Sequence, residues 1–231
     1  MFKSRIRHRI NSSIKIAFPV MGSLFLLFFV TGCTPTLYSV DLKYMTSASA
    51  QPAAAGGQKF IMTVAAFNDA RPGGKDLLIG RVTTALGGLT HVIPKNMKPS
   101  TAVATIVKDA LVKSGYQVSV TMPAWNLKES DIRKEWGKFL IGGSIDELEV
   151  VCQNDIPIKT YDSRARVTMV IADVQTGKII HRISAASINS LEHVYFSERM
   201  LEQQISSAIT EAVVKAFEGD TFKEKIQNAL K

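Results

Sequence analysis

Few residues in this sequence stand in patterns that could support catalysis. Residues 142–146 (Gly-Gly-Ser-Ile-Asp) hold aspartate where the nucleophile turn of a serine hydrolase needs a second glycine. Residues 72–76 (Pro-Gly-Gly-Lys-Asp) hold aspartate where a phosphate-binding loop needs a serine or threonine for magnesium. Beyond the N-terminal segment, the histidines are scattered and lack metal-binding spacing: His91, His181 and His193. We therefore expect no catalytic residue, no cofactor and no metal site.

Three residues are candidates for contact with a protein partner. Asp69 and Arg71 lie in a segment that is predicted to form a loop after the first strand. There they could contact a partner or form a local ion pair. Trp125 and Trp136 stand among charged residues in the polar segment 123–137, and tryptophan and arginine are frequent interface anchors. Either tryptophan could instead be a core residue, which the strand that follows favours for Trp136. The candidate partner contacts are therefore Asp69, Arg71 and Trp125.

The N-terminal segment has the pattern of a secretion signal that ends at a cysteine. Five basic residues and no acidic residue precede the stretch 16–30, which is almost wholly apolar. This stretch is shorter than the roughly 20 residues that cross a bilayer core. The small residues Thr31 and Gly32 then leave room for a peptidase before Cys33. The alternative is an uncleaved membrane anchor followed by a chance cysteine.

Residues Val30-Thr31-Gly32-Cys33 resemble the lipobox of bacterial lipoprotein signal peptides. The resemblance implies that a diacylglyceryl group is attached to the sulfur of Cys33, that residues 1–32 are removed, and that the new amine is acylated. Cys33 would then anchor the mature protein in a lipid bilayer and would be neither a disulfide partner nor a nucleophile. Thr34, in place of the aspartate that retains enterobacterial lipoproteins in the inner membrane, favours the outer membrane. We expect the domain to face the periplasm there.

Removal of the signal segment changes the charge balance. The whole chain has 28 Lys and Arg against 20 Asp and Glu, a net charge of +8. Because five of the basic residues lie in the segment 1–32, the mature chain is nearly neutral, and we expect no nucleic-acid binding. The remaining chain of about 200 residues is long enough for one domain with a core. With Cys33 acylated, we expect Cys152 to be a buried free thiol in an apolar strand.

The pattern of elements predicts a single α+β domain over residues 59–231, behind a lipidated flexible tether at 33–58. Within the tether, residues 37–42 could add an edge strand or could lie near the lipid surface. We predict a mixed or antiparallel sheet of about five strands with two or three helices on one face. The predicted strands are 59–67, 116–122, 138–153, 160–174 and 178–188, with an irregular hairpin over 77–93, and helices are predicted after Pro99, near Ser197 and from Thr221.

Local patterns also predict caps and packing faces. Ser100 is expected to cap the first helix, and Gly115 to end it. Gly142 and Gly143 are expected to mark a bulge or a close approach of backbones within a strand. In the strand 160–174, alternation places one set of residues toward the core, namely Ala165, Val167, Met169 and Ile171, and another set outward, including Arg164 and Arg166.

Beyond the lipobox, the chain resembles the YajG-type periplasmic lipoproteins over most of its mature length. The resemblance rests on three motifs and on the long hairpin formed by the predicted strands 160–174 and 178–188. The motifs are residues 67–71 (Phe-Asn-Asp-Ala-Arg), 107–111 (Val-Lys-Asp-Ala-Leu) and 115–118 (Gly-Tyr-Gln-Val). More loosely, the chain is similar to envelope lipoproteins with a TolB-N-terminal or CsgG-like α+β fold. The resemblance implies a compartment and a fold rather than a reaction, and the segment 123–137 stands as an insertion relative to its pattern.

These patterns favour a lipid-anchored, non-catalytic lipoprotein of the Gram-negative envelope, which acts as a binding, scaffold or accessory component of a periplasmic or outer-membrane assembly. We expect a protein partner, with oligomers allowed, bound at a sheet edge or through the loops 71–99 and 123–137. The alternative is an uncharacterised envelope enzyme. An enzyme would gather titratable groups in one pocket, whereas a docking protein would expose an apolar patch.

Substitution of Cys33 by serine tests the lipid anchor. We expect the Cys33→Ser precursor to stay unprocessed or to become soluble, because durable anchoring needs two or more acyl chains. Membrane fractionation and the intact mass of the protein measure this outcome. A variant that fractionates with the outer membrane at the wild-type mass would contradict the lipoprotein interpretation.

Overall fold

A nine-stranded mixed sheet and three α-helices make up the described part of the chain. The computed structural model describes residues 37–46, 60–73, 77–218 and 220–231. The predicted signal segment, Cys33 and most of the predicted tether lie outside the described residues.

The predicted α+β class is confirmed, whereas the prediction of about five strands is wrong. The sequence did not resolve the shortest strands, whose few residues carry too little alternation. The hairpin predicted over 77–93 is present, as the antiparallel strands Gly80–Thr84 and Leu89–Pro94. The strands are β1 (Leu37–Val40), β2 (Ile61–Val64), β3 (Asn68–Asp69), β4 (Gly80–Thr84), β5 (Leu89–Pro94), β6 (Gln117–Val118), β7 (Phe139–Asn154), β8 (Lys159–Asp173) and β9 (Lys178–His193). The helices are α1 (Pro99–Lys113), α2 (Glu198–Glu218) and α3 (Asp220–Asn228), with one 3-10 turn at Glu129–Asp131.

Strand β7 is the centre of the sheet. Along one side it pairs in parallel with β2, then with β3, then with β4. Along the other side it pairs over its whole length with antiparallel β8, which in turn pairs with β9. Strand β5 continues the sheet from β4, and β1 lies parallel to β5 as its outer neighbour, while β6 lies beside β2. The long hairpins predicted from the sequence are therefore present.

The alternation of β8 decides which face of the sheet is buried. The residues predicted to face the core are at most 1% exposed, namely Ala165, Val167, Met169 and Ile171, whereas Arg164 and Arg166 are exposed. In β7 a bulge between Ile145 and Glu147 adds one residue. Because side chains alternate, the bulge brings Leu148 and Val150 to the face that Phe139 and Ile141 occupy before it.

Two glycines in β7 permit close packing on both faces. A Cβ atom at Gly143 would lie 2.1 Å from the carbonyl oxygen of Thr168, and one at Gly142 would lie 2.7 Å from a ring carbon of Trp125. Neither position has room for a side chain. Of the two interpretations of this glycine pair, close approach is therefore confirmed, and the bulge lies further along the strand.

Helices α1, α2 and α3 all contribute to one large core cluster over the sheet. Pro99 is the first residue of α1, and no side chain caps its start, so the predicted cap at Ser100 is wrong. The predicted end is confirmed, because Gly115 has φ of +85°, and the Tyr116 amide donates to the carbonyl of Leu111. Glycine adopts this left-handed conformation without the strain that a side chain brings.

The N-terminal described residues, 37–46, lie on the domain. Val40 and Leu42 are part of the core cluster. The Met45 amide donates to Thr210 Oγ1 over 3.0 Å, and the Lys43 amide donates to Ser206 Oγ over 3.3 Å. Of the two alternatives for this segment, the structure therefore has the edge strand. Strand β1 begins four residues after Cys33 in the sequence.

The packing faces predict a large difference between two substitutions. Val213 in α2 is fully buried, so Val213→Asp places an unpaired charge in the core and should cost about 3–5 kcal/mol of unfolding free energy. Arg166 is exposed and lies 3.7 Å from Glu147, so Arg166→Ala should cost less than about 1 kcal/mol. Chemical denaturation of both variants measures this. Equal unfolding free energies would show that the faces are assigned wrongly.

Candidate interaction surfaces

The Ser144–Asp146 pair forms a structural network at the bulge of β7. The Asp146 carboxylate accepts hydrogen bonds from Ser144 Oγ at 2.7 Å and from Thr168 Oγ1 at 2.6 Å. A serine nucleophile needs a base to take its proton, and the Ser144 hydroxyl donates to this carboxylate instead of an imidazole. Among the described residues, no group of three or more His, Cys, Asp or Glu side chains could hold a metal ion. Within the same part of the chain, no helix is long and apolar enough to cross a membrane.

Asp69 and Arg71 lie together and form the local ion pair that the sequence left open. Arg71 Nε and Nη2 donate to the two carboxylate oxygens of Asp69 at 2.8 and 2.7 Å. Arg71 Nη1 also donates to the carbonyls of Leu78 and Leu148 at 2.8 and 3.2 Å. The Arg71 side chain is 8% exposed, so its hydrogen-bonding groups are used within the domain. The pair joins the loop after β3 to the segments before β4 and within β7.

Trp125 lies apart from this pair, in a second, smaller cluster on the other face of β7. Its side chain is 3% exposed, and its Nε1 donates to the carbonyl of Lys128 at 2.9 Å. Of the two alternatives for Trp125, the structure has the core residue, because the space beside Gly142 receives the indole ring. Trp136 is partly buried against the same cluster, as the sequence favoured. The segment 123–137 therefore covers part of the sheet.

The rest of that face carries balanced charges. Arg166 lies near Glu147, and Arg81 pairs with Glu149. Ser190 Oγ donates to the Asp162 carboxylate at 2.7 Å. Oppositely charged side chains alternate across neighbouring strands, which is typical of a solvated sheet face. This surface is not the one-signed basic patch that nucleic-acid binding requires.

Cys152 is a buried free thiol, as predicted. Burial raises the pKa of the Cys152 thiol to about 11, so the group stays protonated at neutral pH. A reactive cysteine needs the opposite, namely a lowered pKa and access to solvent. Cys152 therefore serves as a small apolar residue of the core.

Strand β9 forms one edge of the sheet and is 16 residues long. In the described part of the chain its outer side has no partner strand. Lys215 Nζ donates to the carbonyl oxygen of Ala186 at 3.3 Å, which partly protects this edge. Two residues further along, the Ile188 side chain is 73% exposed. An edge of this length can accept a strand from another chain.

Helix α2 is held to β9 through Glu211. Its carboxylate accepts hydrogen bonds from Ser187 Oγ at 2.7 Å, from Asn189 Nδ2 at 3.1 Å and from Ser207 Oγ at 2.9 Å. Burial acts to raise the pKa of Glu211, but these hydrogen bonds outweigh it and lower the pKa below its ordinary value. The ionised carboxylate therefore stabilises the contact between the helix and the edge strand.

A second exposed surface was missed by the sequence reasoning. We call it the apolar end of the sheet. It consists of exposed apolar side chains at the start of β1, in or next to the β4–β5 and β7–β8 turns, and after β9. These residues are Leu37, Leu86, Leu89, Ile156, Ile158, Val194 and Tyr195. The available signal was apolar residues within turn segments, where polar residues are the rule. The register of the strands, which brings the segments together, was not available.

The lowered pKa of Glu211 predicts a pH dependence of stability. A carboxylate whose folded pKa lies below its unfolded pKa stabilises the fold above the unfolded value, and this contribution is lost as the pH falls through the folded value. We expect Glu211→Gln to reduce the unfolding free energy at pH 7 by about 1–2 kcal/mol and to flatten its acid dependence. Denaturant titrations between pH 7 and pH 3 measure this.

Glu224→Gln, in the exposed surface of α3, is the matched control. It removes the same charge without these three donors. If the two variants lose equal stability and keep equal pH profiles, the Glu211 contact does not contribute as described.

The comparisons with known proteins concern the fold. No family model matches the chain, and no curated protein matches it. The crystal structure of protein XCC0632 from Xanthomonas campestris, a member of family DUF330, is similar to 85% of this chain and to all of its own chain, with a TM-score of 0.51 and 9% identity. At that identity, the likeness shows a shared fold alone.

Two further solved structures are less similar. Lipoprotein GNA1162 from Neisseria meningitidis covers 68% of this chain and 96% of its own, with a TM-score of 0.33 and 12% identity. The PelC dodecamer from Paraburkholderia phytofirmans covers 68% of this chain and 85% of its own, with a TM-score of 0.34 and 11% identity. With TM-scores below 0.5, neither supports an argument about this chain. The α+β fold is thus shared with a DUF330 protein.

Proposed function

We propose that this chain is a lipid-anchored, non-catalytic envelope lipoprotein that serves as a binding, scaffold or accessory component of a periplasmic or outer-membrane assembly. The main support for the proposal is the order of two segments along the chain. The lipobox-like residues 30–33 stand four residues before β1, the first strand of the α+β domain. The acyl group on Cys33 is therefore attached almost directly to the domain.

One resemblance supports the location. The sequence motifs at residues 67–71, 107–111 and 115–118 are similar to those of YajG-type lipoproteins. Thr34 after the lipidated cysteine favours transfer to the outer membrane. We propose the periplasmic side of the outer membrane as the site of the domain.

The non-catalytic part of the proposal is supported by what the polar side chains bind. Asp69 and Arg71 satisfy each other and neighbouring carbonyls, and Ser144 donates to Asp146. Cys152 has a raised pKa in the core. Each of these groups has a structural role in its observed contacts, whereas an active site would gather such groups at one accessible pocket.

The partner surface that we propose is the outer edge of β9. In antiparallel strands the N–H and C=O of one residue point to the same side. Because the carbonyl of Ala186 accepts a hydrogen bond from Lys215, the backbone of Ala186 points outward, and so does that of Ile188. A strand of a partner protein, or of a second copy in an oligomer, can pair there and cover the exposed Ile188 side chain.

A charge on this edge tests the partner surface. We expect Ile188→Lys to break up the complex formed by the lipidated full-length protein, because an edge lysine opposes pairing with another strand. Size-exclusion chromatography with light scattering, after mild extraction of the membrane, gives the mass of the complex. Val112→Lys is the matched control, since Val112 is also exposed but lies on α1. An unchanged mass in Ile188→Lys, with wild-type folding, would contradict docking at this edge.

A further inference from the structure

Four segments of the chain meet at the apolar end of the sheet. The turns after β4 and β7 are neighbours, since Thr84 pairs with Asn154 at the ends of these parallel strands. Strand β8 starts beside the end of β9. The start of β1 lies next to the segment after β9, because the ring centroids of Tyr38 and Phe196 are 5.1 Å apart. The tips of these segments therefore form one surface.

This surface is apolar and highly exposed. The turn segment 84–90 (Thr-Ala-Leu-Gly-Gly-Leu-Thr) contains no charged residue, and neither does the segment 156–158 (Ile-Pro-Ile). Leu86 is 98% exposed, Ile156 is 85% exposed and Tyr195 is 74% exposed. Full exposure of such side chains at adjacent tips is unfavourable in water and marks a contact surface.

The covalent chain indicates what this surface contacts. Leu37, at the start of β1, is four residues from Cys33. Since a fully extended chain spans about 3.3–3.6 Å per residue, Leu37 lies within about 14 Å of the residue that carries the lipid. The polar layer of each leaflet is about 5–8 Å thick. The anchor therefore keeps this end of the domain within reach of the bilayer surface.

We propose that the apolar end of the sheet inserts into the interfacial layer of the bilayer in which Cys33 is anchored. The inference rests on the proposed function, because it requires an acylated Cys33. Leu86 and Ile156 supply aliphatic side chains for the upper acyl region, and Tyr195 supplies an aromatic ring with a polar hydroxyl, which suits the headgroup level. The domain is thereby held upright on the membrane by its loops as well as by its lipid.

The charges next to the tips determine whether insertion depends on anionic lipid. Asp155 and Lys159 flank the β7–β8 turn, and Lys159 Nζ donates to the carbonyl of Asp155. No excess of basic residues faces the bilayer from this turn, so the contact depends on apolar burial rather than on attraction to anionic lipid. We therefore expect equal insertion into neutral and anionic vesicles.

A fluorescent reporter on the tip tests the insertion. The acylated full-length protein, with Leu86→Cys labelled by an environment-sensitive fluorophore, is reconstituted into phosphatidylcholine vesicles with and without phosphatidylglycerol. Cys152 does not compete for the label, because its thiol is buried. We expect the fluorophore emission to shift to the blue, nitroxide-labelled lipid to quench it, and aqueous iodide to quench it less. The reference is the labelled protein in detergent-free buffer after removal of its acyl chains.

Val120→Cys is the matched control. Val120 is 89% exposed and follows β6, near the opposite end of β7. With about 3.3 Å per residue, it lies roughly 40 Å from the tips along that strand. Its label should show no lipid quenching. Ile156→Asp, added to the Leu86 reporter, should reverse the blue shift, whereas Val120→Asp should not, which excludes insertion driven by the fluorophore alone.

The outcomes separate this inference from the proposed function. If the purified protein carries no acyl chain, the membrane contact of the tips and the lipoprotein assignment are both wrong. If it is acylated and floats with vesicles, but the Leu86 and Val120 labels respond alike, the membrane contact of the tips is overturned and the lipoprotein assignment stands. Shielding of the Leu86 label without vesicles, rising with protein concentration, would assign the surface to contact between copies and would also overturn the inference.

Discussion

The rest of the fold depends on the pairing of β7 along both of its sides. Over 16 residues this strand joins β8 on one side and three short parallel strands on the other, so each of those elements takes its position from it. Such pairing requires two adaptations in the strand itself. Gly143 permits the close approach of the Thr168 carbonyl, and the bulge after Ile145 restores the alternation that keeps apolar residues under the helices.

The elements that the sequence predicted well carry their signal locally. Strand β8 alternates over 15 residues, and the helix that ends at Gly115 has both an apolar face and a terminator. Strand β1 alternates only weakly and was one of two alternatives for its segment, and β3 carried no such signal. Each is at most four residues long and pairs with a distant segment, as Leu37 does with His91 and Asn68 with Ser144. Pairing of this kind is decided by tertiary packing, which a local pattern does not encode.

The candidate contact residues show the same division. The ion pair of Asp69 with Arg71 joins neighbours in the chain and was a stated alternative, but the carbonyls that complete it come from remote segments. The core position of Trp125 was also a stated alternative, but the charged neighbours in the sequence did not reveal it, whereas the absent side chain of Gly142 makes room for the ring. The apolar end of the sheet was missed because its residues lie in separate turns, and only the strand register brings those turns together.

The parallel pairing of β1 with β5 also determines how the protein bears mechanical load. A pull along β1 from the N-terminal side, where we propose the lipid anchor, strains the bonds of the ladder from Leu37 to Val40 together in shear instead of breaking them one by one. The hydrogen bond that the Met45 amide donates to Thr210 Oγ1 adds a further attachment in series. Forced unfolding is governed by the rate of rupture rather than by equilibrium stability. A short strand such as β1 can therefore resist a pull from the N-terminal side more strongly than its length alone suggests.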